Sequence, residues 1–322
     1  MKTKAMAEGA MFCALAVLLA LICYYVPFLI VLYIFIPVPI VVLARKQGFK
    51  VSMISSVAAT ILLFLLVDPV TAVSFGMYLI LVGCSLGYTY YKEKNGFIKL
   101  LIGYGSSFLV IILGIVLFQV ISGQNYIDNM ITMFATASTE ALKIYENSGL
   151  LSGDQMAQMG TMIDSLMNTL KLSIPGAFLI LPFFLGWANV VFSDIILKRL
   201  RMPVVPLKKL SQWQLPKSLK TFLIVVIVFV LAIDLMKIEA VPQIYTFTIT
   251  SIISTIYFIM GLSFIFWLMA RKKVKENMGL KILIVVLCVL FSFLMSIVTF
   301  VGVIDIYIDL RMLIEIKGGT KS

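Results

Sequence analysis

Apolar residues fall into long, nearly uninterrupted blocks along this chain, and charged residues gather between them. A helix that crosses a bilayer needs about 20 mostly apolar residues, within a range of about 17–25. The blocks at Gly9–Val26, Phe28–Ala44, Val51–Val67, Val70–Tyr91 and Ile98–Ile121 meet that need, with Asp68-Pro69 closing the third. After a polar stretch from Ser122 to Lys171 come Leu172–Leu197, Thr221–Leu235, Ile244–Ala270 and Ile282–Ile304, then a tail from Asp305 to Ser322. The pattern predicts an all-α integral membrane protein of about nine transmembrane helices. The second block is short and carries two prolines, and the seventh is short as well.

The polar stretch has its own periodicity. Met156, Met159, Ile163, Leu166 and Leu170 recur at steps of three and four, as do Ile127, Ile131, Phe134, Ala141 and Ile144 in the first half. Such steps mark one face of a helix. Ser148-Gly149 and Ser152-Gly153 supply a break between them. Two amphipathic helices are expected on the outer surface, lying on lipid, covering the bundle or forming a lid over an outward-facing cavity. The methionines Met130, Met133, Met156, Met159 and Met162 raise copper binding, but no His or paired Cys accompanies them, so the helical face explains them better.

Charge gives the threading. With the N-terminus in the cytoplasm and strict alternation of nine spans, 20 of the 26 basic residues fall inside, in five clusters. The richest is the proline-bearing loop Lys198–Lys220, with Lys208, Lys209 and Lys217. Arg311, Lys317 and Lys321 of the tail are left outside with Lys143, Lys171 and Lys237. The net charge of +11 is thus a topology signal, with anionic inner-leaflet lipid as its counterpart. It does not indicate nucleic acid, because no folded basic domain exists to carry one. Hydrophobic residues at 61% and a mean hydropathy of +1.09 exclude a water-soluble chain of this length. The apolar N-terminal block lacks an A-x-A cleavage pattern or a lipobox and reads as a retained first span.

The residue inventory narrows the chemistry. No histidine is present, which removes His triads, His relays and His-ligated metal sites. Cys13, Cys23, Cys84 and Cys288 lie in apolar blocks without C-x-x-C spacing and read as small buried hydrophobes. No phosphate loop, metal-ligand cluster or nucleophile elbow appears. No catalytic residues, cofactor or metal are therefore expected, and any ATP hydrolysis would come from another subunit.

Polar groups at membrane depth remain as functional candidates. Glu8 can cap the first span or pair with a nearby lysine. Asp194 is four residues before Lys198, which suggests an intrahelical pair. Asn189 is deeper and needs an amide partner, either on another helix or on a substrate. Asp68 and Gln119 sit near the outer ends of their spans, and Lys237 lies between Asp234 and Glu239 as their neutraliser. Pro37 and Pro39 must break the second span or delay its start, and freed carbonyls survive in a bilayer only against protein or a wet cavity. With Tyr24, Tyr25 and Tyr33 nearby, the outer end of the first two spans is the expected place for a ligand, although tyrosines there also suit a plain aromatic belt. The first span also has small-xxx-small spacing at Ala10/Ala14 and Ala16/Ala20, which permits close helix approach.

The run Pro37-Val38-Pro39-Ile40-Val41-Val42-Leu43-Ala44-Arg45-Lys46-Gln47-Gly48-Phe49-Lys50, followed by an apolar span, resembles the YybS-type bacterial membrane proteins of unknown function. That family is in turn similar to the substrate-binding S components of energy-coupling factor vitamin transporters. The resemblance covers about Met6 to Tyr91, and more loosely the sixth span through Asp194. It implies a bacterial plasma-membrane protein with a six-helix bundle over residues 1–200, including the outer insert 122–171. It also implies a substrate cavity in the outer half and a first helix that docks on a coupling subunit through Ala10 and Ala14 or Ala16 and Ala20. The insert and the further part, residues 201–322 with its basic loop and three more spans, depart from that pattern. Two functions follow as expectations. One is a substrate-binding or transport component for a small solute, without ATPase activity of its own. The other is a membrane scaffold that recruits a partner through the basic loop.

Overall fold

The structure is a computed structural model and describes residues 3–148, 153–236, 241–271 and 278–319. The expected break at Gly149 and Ser152, the Lys237–Glu239 neutralisation, and Lys2, Lys272, Lys273, Lys275 and Lys321 lie outside those residues. Among the described residues everything regular is helical. The chain divides into two compact units. One comprises Met1–Lys171 with Ala177–Leu207, the other Leu172–Gly176 with Lys208–Ser322.

The first unit opens with α1 (Thr3–Tyr25), followed by a 3-10 stretch, Pro27–Phe35, and α2 (Val38–Gln47). The two prolines explain that division. Pro37 caps α2 and Pro39 sits in its first turn, where a missing N–H costs nothing. Every residue from Val38 to Ala44 is buried, as expected for a helix that is apolar on all sides. α2 is the centre of this unit. Around it lie α1, α3 (Phe49–Leu66), and a span made of α4 (Pro69–Met77), a π-helical turn Tyr78–Cys84 and α5 (Ser85–Tyr91). Gly83 and Gly87 let that span press against α2. A Cβ on Gly87 would come 2.6 Å from the Ala44 Cβ, and one on Gly83 would come 3.1 Å from Ile40. This GxxxG spacing lies outside the small-residue pairs picked from the first span.

α6 (Gly96–Ser122), α7 (Tyr126–Ser148) and α8 (Gly153–Arg199) follow. α7 is the expected first amphipathic helix. The second is not a separate element, because it runs without a break into the sixth span as one helix of 47 residues. At about 1.5 Å per residue such a helix is about 70 Å long, more than twice the hydrocarbon thickness. Its insert half is therefore continuous with a span rather than a helix of its own.

The second unit holds an irregular segment with a 3-10 turn at Leu210–Gln212, then α9 (Lys217–Leu235), α10 (Gln243–Arg271), α11 (Met278–Leu290), α12 (Ser292–Ile308) and α13 (Leu310–Gly319). α10 and α12 cross in backbone contact at Gly261 and Gly302. A Cβ on either glycine would collide with a main-chain carbonyl of the other helix, at Val298 or Tyr257. The expected ninth span is not one straight helix, because the chain bends by 111° between α11 and α12. The tail also differs from expectation. Arg311 donates to the carbonyl of Ser211 at 3.2 Å, so the start of the tail adjoins the basic loop that strict alternation put on the opposite side of the bilayer.

Among the described residues seven helical stretches are long and apolar enough to cross a membrane, or eight if α11 with α12 is one broken span. The seven are α1, Pro27–Gln47, α3, Pro69–Tyr91, α6, α8 and α10; α9 is not among them. The four cysteines are buried and unpaired.

Candidate functional site

Seven of the eight expected ligand-binding residues separate into three groups, and Gln119 stands apart. Tyr24 and Tyr25 end α1 in exposed positions, with their rings edge to face at 4.8 Å. The Tyr25 hydroxyl donates to the Leu66 carbonyl at 2.8 Å. Beside that helix end, Asp68 caps α4 by accepting from the Thr71 amide at 3.0 Å. That backbone N–H holds the Asp68 carboxyl below its usual value. Together these residues form an exposed rim.

Pro37 and Pro39 do not line an opening, since both are buried in the core of the unit. The Pro37 carbonyl accepts the amides of Ile40 and Val41 at 3.0 and 3.1 Å, so the expected free carbonyl is used locally. Gln119 is exposed on α6 and joins neither the rim nor the buried network.

Tyr33 and Asn189 form the third group, through a residue that the sequence reading missed. The Tyr33 ring stacks on Tyr78 with centroids 4.4 Å apart and planes 12° from parallel. Asn189, fully buried, donates from Nδ2 to the Tyr78 hydroxyl at 2.9 Å and to the Leu185 carbonyl at 2.8 Å. Its Oδ1 is buried without a hydrogen-bond partner, as is the Ser193 hydroxyl one turn along α8. Tyr78 opens the π-helical turn, a local widening that recurs at functional sites. The signal that finds Tyr78 is its depth, because a phenol eight residues inside an apolar block needs a partner for its hydroxyl.

A second polar cluster lies at the other end of the same helices. Asp194 is not explained by an intrahelical pair with Lys198. Its Oδ1 accepts from the Tyr90 hydroxyl at 2.7 Å and faces Lys99 Nζ at 3.8 Å, and its Oδ2 accepts from the Leu207 amide at 2.8 Å. Lys99, 1% exposed, donates to the Val205 carbonyl at 2.7 Å and sits 3.9 Å from the Tyr90 ring centroid. A cavity of about 150 Å³ adjoins them, lined by Tyr90, Glu93, Lys99 and Pro203–Val205. Arg45 closes its edge by reaching Glu93 at 2.6 Å and the Pro203 carbonyl at 3.1 Å. This cluster uses its charges to hold the segment Pro203–Leu207 in place. Glu8, also at this end, pairs with Lys46 at 3.2 Å and accepts from Gln47 at 2.9 Å, in line with the expected lysine pairing.

The docking candidates also separate. Ala16 and Ala20 are fully buried inside the unit, whereas Ala10 and Ala14 lie on an exposed face beside Met11 and Leu18. Lys208, Lys209 and Lys217 are exposed on the second unit.

Comparison with known proteins agrees with this architecture. The chain is 21% identical over 315 residues to a protein of Bacillus subtilis (strain 168) described as "Uncharacterized protein YybS", covering 96% of this chain and 98% of that one. No solved structure matches it. A family model described as "Predicted membrane protein (DUF2232)" matches residues 14–306. An all-helical, multi-pass bacterial membrane protein, the chain belongs to that family.

Proposed function

We propose that the protein is a substrate-binding or transport component for a small solute, without ATPase activity of its own, and that the solute site is the Tyr33–Tyr78–Asn189 network. The observation that carries this reading is the buried, unserved Oδ1 of Asn189. A buried carbonyl oxygen without a donor costs about 1–3 kcal/mol, and in a membrane span an unserved polar group marks a functional position by default. A solute hydroxyl or amide N–H would serve it, with the Tyr33–Tyr78 stack as an aromatic wall. The six-span make-up of the first unit fits the resemblance to S components, and the exposed Ala10/Ala14 face is then the docking face for a coupling subunit. The test is thermal stability of the purified chain against a panel of vitamins, nucleobases and lipids. A saturable rise is expected for one class and is lost in Asn189→Leu. No rise with any compound, or the same rise in the variant, defeats the reading.

The threading that goes with this reading differs from nine straight spans. Arg311 adjoins Ser211, and the 111° bend turns α12 back. We infer that α9 crosses, that α11 and α12 form a re-entrant pair, and that the tail returns to the cytoplasmic side. The outer side then keeps only Lys143, Lys171 and Lys237 of the 26 basic residues, a stronger bias than nine spans give. In a cysteine-free background, a probe at Met312 should label from the cytoplasm and one at Ser138 from outside. Labelling of both from one side rejects this threading.

A second reading is a scaffold that recruits a partner through the basic loop. The hydrogen bonds that hold Lys208, Leu210, Ser211 and Trp213 to Trp213, Ser263 and Arg311 within the second unit favour it, because a recruitment loop gains affinity from being held in one shape. Neutralising Lys208, Lys209 and Lys217 together should then remove a co-purifying protein while the fold survives. Unchanged co-purification excludes that route.

A further inference from the structure

The second unit contains a cavity of about 270 Å³ that the solute reading of the first unit does not use and that does not depend on it. Leu215, Met260, Ile306 and Met312 supply its apolar lining, and Gln214, Lys220, Asp305, Asp309, Arg311 and Glu315 its polar lining.

The hydrogen bonds decide which charge the cavity lacks. Both cations are already engaged. Lys220 holds Asp309 at 2.7 Å. Arg311, buried, donates from Nε to Asp305 Oδ2 at 3.0 Å, from Nη1 to the Ser211 carbonyl at 3.2 Å and from Nη2 to Ser263 Oγ at 2.9 Å. The Ser263 hydroxyl in turn donates a hydrogen bond shared between the carbonyls of Leu210 and Trp213. Asp305 is different. Its side chain is 7% exposed, yet Oδ1 is buried with no hydrogen-bond partner. Glu315 adds a further carboxylate at the exposed edge. The cations are thus satisfied and an acid oxygen is not, which calls for a donor, and the lining holds three carboxylates against two cations, which calls for that donor to be positively charged.

We propose that this cavity binds a small organic ammonium, with one N–H donated to Asp305 Oδ1 and a short apolar chain against Leu215, Met260 and Ile306. Its size suits an amine of a few carbons, just below the pockets of about 300–1,000 Å³ that hold drug-sized ligands. A metal ion fits less well, since no three acid or thiol groups gather as a ligand set among the described residues.

Thermal stability of the full chain in lipid nanodiscs tests this with four probes: n-butylamine, cyclohexylamine, tetramethylammonium (charge without a donor) and n-butanol (a donor without charge). The two amines should raise Tm saturably and the other two should not. Asp305→Asn should weaken the apparent affinity for butylamine by about tenfold or more, the range of a charge-assisted hydrogen bond. Because that variant also removes the partner of Arg311 and can unfold the unit, Met312→Arg provides a second test at an exposed position. It supplies a tethered guanidinium to the same oxygen and should abolish the amine effect in a folded protein. No saturable shift overturns the proposal. So does a shift that butanol matches, which is an adventitious additive only, or one that Met312→Arg leaves unchanged.

Discussion

The two units bury an ion pair in different ways. In the first, Lys99 and Asp194 are surrounded by donors and acceptors of the chain itself, and both Asp194 oxygens are served. In the second, Arg311 is satisfied and Asp305 only half so, beside a cavity nearly twice as large. A completed pair holds structure, here the segment Pro203–Leu207, while an incomplete one beside open volume leaves room for a ligand. The same contrast applies within the first unit. The Lys99 cluster is closed, whereas the Asn189 amide has spent its donor and kept its acceptor.

That contrast can be broken most forcefully at Lys99. Lys99→Met leaves Asp194 buried without its cation and should cost about 3–5 kcal/mol. Arg311→Met should cost less, about 1–3 kcal/mol, because loss of the guanidinium, which lines the cavity, opens that volume onto Asp305 and lets water take its place. Chemical denaturation in mixed micelles measures both, and equal losses would remove the distinction between the units. Next in size is Gly87→Val, which drives a side chain into Ala44 and should cost about 1–3 kcal/mol by overpacking. A neutral result there would show that α2 is not the tight centre of its unit. Tyr78→Phe removes the hydroxyl that receives Asn189 and should cost about 1 kcal/mol. Its effect on solute affinity should exceed its effect on stability if the network is a binding site.

The smallest effect belongs to the exposed rim. The Asp68 carboxyl is held below its usual value by the Thr71 amide. The cap therefore contributes fully above the ordinary Asp pKa, about 4. The contribution is lost as pH falls through the lowered value. Asp68→Ala should cost at most about 1 kcal/mol at neutral pH and nothing in strong acid. A difference that persists in strong acid would mean that the side chain acts other than through its charge.

Much of this was legible in the chain. Block lengths identify the spans of the first unit, and Pro37 and Pro39 mark where α2 begins. Local pattern did not reveal what depends on distant partners. Asp194 has Lys198 one turn away in sequence, yet Lys99 and Tyr90 reach it from other helices. The bend between α11 and α12 falls at Phe291 within an apolar run, with no proline or glycine to mark it. The tyrosines at the outer end drew attention to the rim, while the network forms deeper, where Tyr78 meets Asn189.

The central claim is that Asn189 at the Tyr78 network holds a solute. It is tested most directly by purifying the chain from native membranes and identifying retained small molecules by mass spectrometry, beside an Asn189→Leu chain prepared identically. A compound bearing a hydrogen-bond donor should accompany the unaltered protein and be absent from the variant. Identical small-molecule profiles from two folded preparations would contradict the claim.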